Sequence, residues 1–268
     1  MTCKRLVAAA VVLLMLSGSI AYAAVGSGTE VAGTVPRLLI AVESQNSQSG
    51  ECSLGDAVTD AVRRYLKSDV AIVCGGDLVN NLPAGDVTWD ALRSVFAEDR
   101  HLATATVTIR QLREILEAGL SRVVMDESER IDAQASMHEG FPQISGFTLF
   151  FEVSAPPGER VYEVIMGNES LDLDDDTKTV VLAATSFMLE GGYGMPKVEP
   201  IARSELTLVD VMARYMNDGM GEYQNTGERI RSMGTANVLV SGLLVVCVII
   251  GAVALSWLRK RLLPKRFF

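Results

Sequence analysis

A helix followed by a strand decides the fold class of this chain. Residues 54–76 read LGDAVTDAVRRYLKSDVAIVCGG, and apolar side chains recur between residues 54 and 66 at the spacing of one helix face. Residues 70–73 are all apolar, as in a short buried strand, and a Cys-Gly-Gly sequence ends the strand. We therefore expect a helix and then a buried strand.

Further helices and strands are predicted along the chain. Thr108 with Gln111 and Thr207 with Asp210 have the spacing of capping boxes, which predicts that a helix begins at each threonine. The other predicted elements are a helix at 89–96 and strands at 101–107, 147–153, 161–166 and 179–184. This mixture predicts an α/β (mixed α+β) fold in one domain.

The N-terminus predicts export. Lys4 and Arg5 precede an apolar run at residues 6–16, and Ala21-Tyr22-Ala23 has the pattern of a signal-peptide cleavage site. An uncleaved anchor is the alternative, but the run is shorter than the roughly 20 residues that a membrane span needs. We therefore expect a signal peptide at residues 1–23.

The C-terminus predicts a membrane anchor. Residues 238–258 contain no charged side chain, and five cations follow in the tail. Such a run can span a bilayer as a helix, and basic flanks stay cytoplasmic, which disfavours the alternative of a buried core helix. We expect a single-pass cell-membrane protein with an extracytoplasmic domain and a cytoplasmic tail.

The expected segments are the signal peptide (1–23), a linker with the first strand (24–50), the folded domain (51–217), a juxtamembrane linker (218–237), the transmembrane helix (238–258) and the tail (259–268).

The predicted extracytoplasmic part is strongly acidic. Seven of the 24 lysines and arginines lie in the signal and the tail, so 17 remain against 33 acidic residues, a net charge of about −16. A surface of this sign repels phosphate backbones, and no basic patch offsets it. We therefore expect no nucleic-acid partner.

The sequence carries no pattern of a catalytic or metal site. His101 and His138 are the only histidines, whereas metal-dependent hydrolysis needs several His, Asp or Cys ligands that converge on one point. Ser145 lacks a Gly-x-Ser-x-Gly elbow, although composition alone leaves a Ser-His-acid triad open. We expect no catalytic residue, no metal and no cofactor, and no enzymatic activity from this chain on its own.

Cys52 and Cys74 are the two cysteines of the predicted extracytoplasmic part, where disulfides persist. In a strand–helix–strand unit, the helix begins near the edge at which the next parallel strand ends. Cys52 precedes the predicted helix and Cys74 ends the predicted strand, so the two side chains are expected to meet. We predict a Cys52–Cys74 disulfide, with two unpaired thiols as the alternative.

Six short motifs resemble one known family in their order along the chain. They read ECSLGDAVTDA (51–61), DVAIVCGG (69–76), LPAGDVTW (82–89), LREILEAGL (112–120), GFPQISGF (140–147) and ATSFMLEGG (184–192). Together they resemble the C-terminal domain of the 5'-nucleotidase / UDP-sugar hydrolase family. The resemblance implies a fold of α/β/β/α layers that holds the base and part of the phosphate of a substrate.

In full-length members of that family, a separate N-terminal metallophosphoesterase domain carries two metals and the hydrolysis. Residues 24–50 are too few to contain such a domain. The resemblance therefore implies a C-terminal domain that stands alone in this chain.

The resemblance also implies a remnant ligand pocket. The family's phosphate-binding arginine aligns with Val79, its first stacking phenylalanine falls within residues 97–100, which lack an aromatic side chain, and its ligand-binding aspartate aligns with Tyr193. The second stacking phenylalanine is kept as Phe187, while Asp77 adds a charge that repels phosphate. The residues expected to line the remnant pocket are Gly75, Gly76, Phe187, Gly191, Gly192 and Tyr193.

Two functions follow from this resemblance. The first is a non-catalytic, membrane-anchored extracytoplasmic domain that acts by binding a ligand, such as a nucleoside or nucleotide, or by assembling with another protein. The alternative is the substrate-binding subunit of a split nucleotidase or UDP-sugar hydrolase, which a separately encoded metallophosphoesterase completes.

Overall fold

The computed structural model describes residues 28–43, 46–128, 130–220 and 228–233. The predicted signal peptide, transmembrane helix and tail lie outside these ranges. Within the described ranges, none of the helices combines the length and the apolar character that crossing a membrane requires.

The described residues form a mixed set of strands and helices. The strands are β1 (Val31–Val35), β2 (Val70–Cys74), β3 (Gly85–Thr88), β4 (His101–Thr108), β5 (Pro142–Ser145), β6 (Thr148–Glu152), β7 (Val161–Met166), β8 (Glu169–Ser170), β9 (Thr179–Thr185), β10 (Ala202–Thr207) and β11 (Ile230–Met233). The helices are α1 (Ser53–Leu66), α2 (Trp89–Ser94), α3 (Ile109–Leu120), α4 (Ser186–Leu189) and α5 (Leu208–Asn217). The predicted mixed α/β class is confirmed.

Three sheets organise these strands. The central sheet has the order β10-β4-β9-β2-β5, in which β2 runs parallel to β9 and antiparallel to β5. A second sheet has the order β11-β6-β7-β8, and its antiparallel pair β6–β7 corresponds to the strands predicted at 147–153 and 161–166. Among the described residues, strand β1 pairs with β3 alone, in a separate antiparallel ribbon.

Strand β2 separates two hydrophobic cores. Ala71 and Val73 belong to the first core, which contains α1, α5 and the β1–β3 ribbon. Val70, Ile72 and Cys74 belong to the second core, which contains α3 and the inner face of the second sheet. Since successive side chains of a strand point to opposite faces, one short strand anchors both layers.

The predicted Cys52–Cys74 disulfide is wrong, because both cysteines are free thiols. Cys52 lies in the first core, where its sulfur accepts a hydrogen bond from the Gly55 amide (3.2 Å) and caps α1. Cys74 lies in the second core, on the face of β2 opposite α1. The strand–helix–strand unit on which the prediction rested is absent from the described residues, because β1 does not join the sheet of β2.

We predict that denaturing alkylation of the full-length chain, without reductant, labels both Cys52 and Cys74. Native protein should leave both unlabelled at pH 8, because burial raises the pKa of Cys52 to about 12 and that of Cys74 well above its ordinary value. Peptide mapping by mass spectrometry measures both states. A cross-linked peptide containing the two cysteines would contradict the structure.

Candidate functional site

The two glycine turns predicted as pocket residues meet at one edge of the central sheet. Strand β2 runs directly into a 3₁₀ turn at Gly75–Asp77, and β9 leads through α4 into a second turn at Gly192–Gly194. Strands β2 and β9 are parallel neighbours, so their carboxyl ends share this edge, where α/β folds commonly bind ligands. A Cβ on Gly76 would lie 3.0 Å from Cζ of Tyr193, which shows how closely the turns approach.

The amides of these glycines already donate to protein carbonyls. Gly75 donates to Phe141 O (2.8 Å), Gly76 to Glu139 O (2.8 Å), and Gly191 to a carbonyl of α4. A Cβ on Gly75 would lie 1.9 Å from the Ser47 carbonyl oxygen. Glycine is therefore required here for close packing, and these amide hydrogens are not directed at a ligand.

An ion pair between Asp77 and Arg100 lies at the centre of the edge. The Asp77 side chain is 0% exposed, and its Oδ1 accepts from Nε of Arg100 at 2.8 Å. The hydroxyl of Tyr193 donates to the same oxygen at 3.2 Å. Burial raises the pKa of Asp77, while the Arg100 charge and both hydrogen bonds oppose that shift. A buried carboxylate without such a partner would be strongly destabilising.

The guanidinium of Arg100 also covers the ring of Phe187. Its Cζ lies 3.6 Å from the ring centroid, close enough for a cation–π contact. Tyr193 packs against the same ring edge-on, with centroids 5.0 Å apart and planes at 82°. We call Asp77, Arg100, Phe187 and Tyr193 the Arg100 cluster. Within it, one ring face of the phenylalanine is occupied by the protein itself.

Tyr193 reaches this position through an uncommon backbone conformation. Its φ of 55° and ψ of 22° lie in the left-handed region, which non-glycine residues rarely adopt. Burial raises the pKa of its hydroxyl to about 12, so the group stays protonated at neutral pH and can donate to Asp77. Where the resemblance implied a ligand-binding aspartate, the structure therefore has a donor that stabilises a buried acid.

The sequence analysis identified the loss of a phosphate-binding side chain at Val79 but did not predict a role for Arg100. Val79 is exposed, its amide donates to Val95 O (2.8 Å), and it has no polar side-chain group for a phosphate. Arg100 was missed as a member of the site, because nothing near it in sequence indicates its partner. The signal that could have revealed Arg100 was Asp77, a charge added at this turn relative to the family. A buried acid needs a basic partner.

Two clefts of about 510 Å³ each flank the Arg100 cluster. The first lies beside Phe187, and its wall contains four acids together with Arg100 and Arg203; the acids are Glu98, Asp99, Glu190 and Glu205. The second lies beyond Tyr193 and contains His138, whose pKa is lowered by burial and by Arg122. Among the described residues, no three His, Cys, Asp or Glu side chains are placed to hold a metal ion.

A family model described as "5'-nucleotidase, C-terminal domain" matches residues 31–200. The chain belongs to this family. Among curated proteins, the trifunctional nucleotide phosphoesterase protein YfkN of Bacillus subtilis is 28% identical over 160 residues, which are 57% of this chain and 10% of that protein. Endonuclease YhcR of the same organism is 28% identical over 93 residues, 35% of this chain and 8% of that protein.

Solved structures support the same fold. The 5'-nucleotidase precursor of Thermus thermophilus superposes with a TM-score of 0.63 at 20% identity, over 86% of this chain and 42% of that one. The NAD nucleotidase of Haemophilus influenzae superposes with a TM-score of 0.58 at 14% identity, over 76% of this chain and 38% of that one. The chain thus spans about a tenth of the curated relatives and less than half of the solved nucleotidases.

We predict that Arg100→Ala lowers the free energy of unfolding of this 5'-nucleotidase C-terminal domain by about 3–5 kcal/mol, because it leaves Asp77 buried without its partner. Arg203→Ala is the matched control. It breaks the exposed pair with Glu190 and should cost at most about 1 kcal/mol. Urea denaturation measures both. Equal effects of the two variants would contradict a structural role for the buried pair.

Proposed function

We propose that this chain is a membrane-anchored, extracytoplasmic 5'-nucleotidase C-terminal domain that does not hydrolyse nucleotides by itself. It acts by binding a ligand or by assembling with another protein. The observation that carries the proposal is the stacking of Arg100 on Phe187, at the ring for which the family resemblance implies base stacking.

A comparison of two interaction energies favours the state in which Arg100 covers the ring of Phe187. Stacking of a base on one aromatic face contributes about 1–3 kcal/mol. Moving Arg100 away to admit the base would break the pair with Asp77, and breaking a buried pair costs about 3–5 kcal/mol. Base stacking alone is therefore too weak to displace the guanidinium.

The surroundings of the ring also disfavour a phosphate. Asp77 is buried within the cluster, Val79 stands where the family resemblance implies an arginine, and the amides of Gly75 and Gly76 already have partners. The cleft beside Phe187 adds four carboxylates and only one further arginine, Arg203, which pairs with Glu190. Like charges repel a nucleotide phosphate, so the site lacks the electrostatics that phosphoryl hydrolysis requires.

The anchoring part of the proposal rests on the two ends of the sequence. An apolar run with a basic flank precedes Ala21-Tyr22-Ala23, and residues 238–258 form an uncharged run with five following cations. The acidic residues all lie between these segments. This arrangement supports an extracytoplasmic domain on a single span.

The second candidate function is the substrate-binding subunit of a split nucleotidase or UDP-sugar hydrolase. One observation favours it: Phe187 still borders an open cleft of about 510 Å³, which is within the size range of small-molecule sites. In this case a separately made metallophosphoesterase would supply the metals, and its docking would need to displace Arg100.

We predict that the double substitution Asp77→Asn with Arg100→Ala strengthens nucleoside binding about tenfold or more. It uncovers the ring face without leaving a lone buried charge, and about 1.4 kcal/mol of recovered stacking corresponds to a factor of ten. Calorimetric titration with adenosine and uridine measures the effect in the full-length chain. Adding Phe187→Ala is the control and should abolish the gain. Wild-type binding as tight as that of the double variant would show that Arg100 does not block the ring.

We also predict that the full-length chain with Mn²⁺ releases no phosphate from AMP and no glucose 1-phosphate from UDP-glucose above the blank. Hydrolysis by the chain alone would sink the non-catalytic proposal. Hydrolysis that appears only on mixing with a metallophosphoesterase would favour the second candidate, and failure of the two proteins to associate at high concentration would count against it.

A further inference from the structure

The cleft beyond Tyr193 is formed by three separate parts of the chain. Its walls come from the C-terminal end of α3 with Arg122, from residues 137–139 before β5, and from Tyr193 in the second glycine turn. Its volume of about 510 Å³ lies within the size range of small-molecule sites. We call it the His138 cleft.

Close packing fixes the walls of this cleft. A Cβ on Gly140 would lie 2.8 Å from Nε2 of His138 and 3.1 Å from the carbonyl oxygen of Tyr193. The His138 amide donates to Gln48 O at 2.8 Å, and the His138 carbonyl accepts from the Phe141 amide at 2.9 Å. The segment that carries His138 is therefore held by its backbone against both neighbouring walls.

Two opposite charges line the His138 cleft without a protein partner. The side chains of Arg122 and Glu139 are both exposed, and both lie in its wall. Among the described residues, neither side chain forms an ion pair, with the other or with a third group. By contrast, Arg110 and Arg113 of α3 each pair with an aspartate. The cleft thus presents one free cation and one free anion.

The remaining wall adds no further charge. Burial lowers the pKa of His138, Arg122 lowers it further and Glu139 opposes the shift, so the imidazole is neutral at pH 7. Met137 is 37% exposed although its side chain is large and apolar, and Tyr193 contributes its ring. A cation, an anion and an apolar surface therefore face the same space.

We propose that the His138 cleft binds an apolar zwitterion of the amino-acid type, either a free amino acid or a short peptide with free ends. The carboxylate of the ligand pairs with Arg122, and its ammonium group pairs with Glu139. The apolar side chain of the ligand packs against Met137 and the ring of Tyr193.

The overall charge of the domain favours a zwitterion over a nucleotide. The predicted extracytoplasmic part has a net charge of about −16, which repels an anion but exerts no net force on a molecule without net charge. A phosphate in this cleft would also meet Glu139 with only one arginine to offset it. The site lies across Tyr193 from Phe187, so it goes beyond the proposed function and uses neither the Phe187 ring nor the membrane anchor.

Equilibrium dialysis of the full-length chain with radiolabelled L-phenylalanine at pH 7 tests the site. We expect saturable binding that unlabelled L-phenylalanine and the dipeptide Ala-Phe displace, and the tighter of the two identifies a free amino acid or a peptide as the ligand. Phenylalaninamide lacks the carboxylate, and 3-phenylpropionate lacks the ammonium group. Each should compete about fivefold less well or worse, because each loses one charge-assisted hydrogen bond.

Variants assign each charge to its partner. Arg122→Gln should weaken the binding of phenylalanine about fivefold or more and leave that of phenylalaninamide unchanged. Glu139→Gln should weaken phenylalanine to the same degree and leave 3-phenylpropionate unchanged. Arg130→Gln is the matched control, because it removes only an exposed pair with Asp126 outside the cleft, and it should bind as the wild type does.

Absence of saturable binding would overturn the site, as would analogues that compete as well as phenylalanine, or an equal loss in Arg130→Gln. The readout is independent of phosphate release and of nucleoside binding at Phe187. Amino-acid binding can therefore fail while the non-catalytic proposal stands, and it can hold if the chain proves to hydrolyse nucleotides.

Discussion

All five side chains of strand β2 are buried, and they alternate between two hydrophobic cores. A sheet with a strand of this kind must be covered on both faces, which α1 and α5 achieve on one side and α3 with the second sheet on the other. The end of β2 then lies inside the molecule, so the turn at Gly75–Asp77 is buried as well. The position of Asp77 in the interior follows from the burial of the strand before it.

A buried carboxylate at this point requires a base, and the base determines the shape of the site. Arg100 precedes β4, which lies two strands away from β2 in the central sheet, so its long side chain passes the end of β9 on the way to Asp77. Phe187 lies at that end, and the planar guanidinium stacks on its ring. The buried Asp77 thus accounts for the position of Arg100, which covers one face of the Phe187 ring.

The sequence predicted local features well and long-range ones poorly. The capping boxes at Thr108 and Thr207 are confirmed, because each depends on residues three positions apart. The Cys52–Cys74 disulfide was wrong because it assumed a strand–helix–strand unit, whereas β1 lies outside the sheet of β2. Alternation along β2 also turns Cys74 to the face opposite α1. Strand β11 and the ion pair of Arg229 with Asp60 were not predicted, since β6 and Asp60 lie more than 80 residues earlier in the chain.

The two buried ionic clusters share one constraint, a buried carboxylate whose oxygens are not all satisfied. In the Arg100 cluster, Asp77 accepts from Arg100 and Tyr193, while its second oxygen is buried without a hydrogen-bond donor among the described residues. Beside β11, Arg229 pairs with Asp60, and both side-chain oxygens of the neighbouring Asp56 are likewise buried without a donor. Removing either arginine would therefore be costly, because the carboxylates that remain would have neither a charge partner nor water. The edge of the central sheet and the C-terminal strand are thus held by the same physical means.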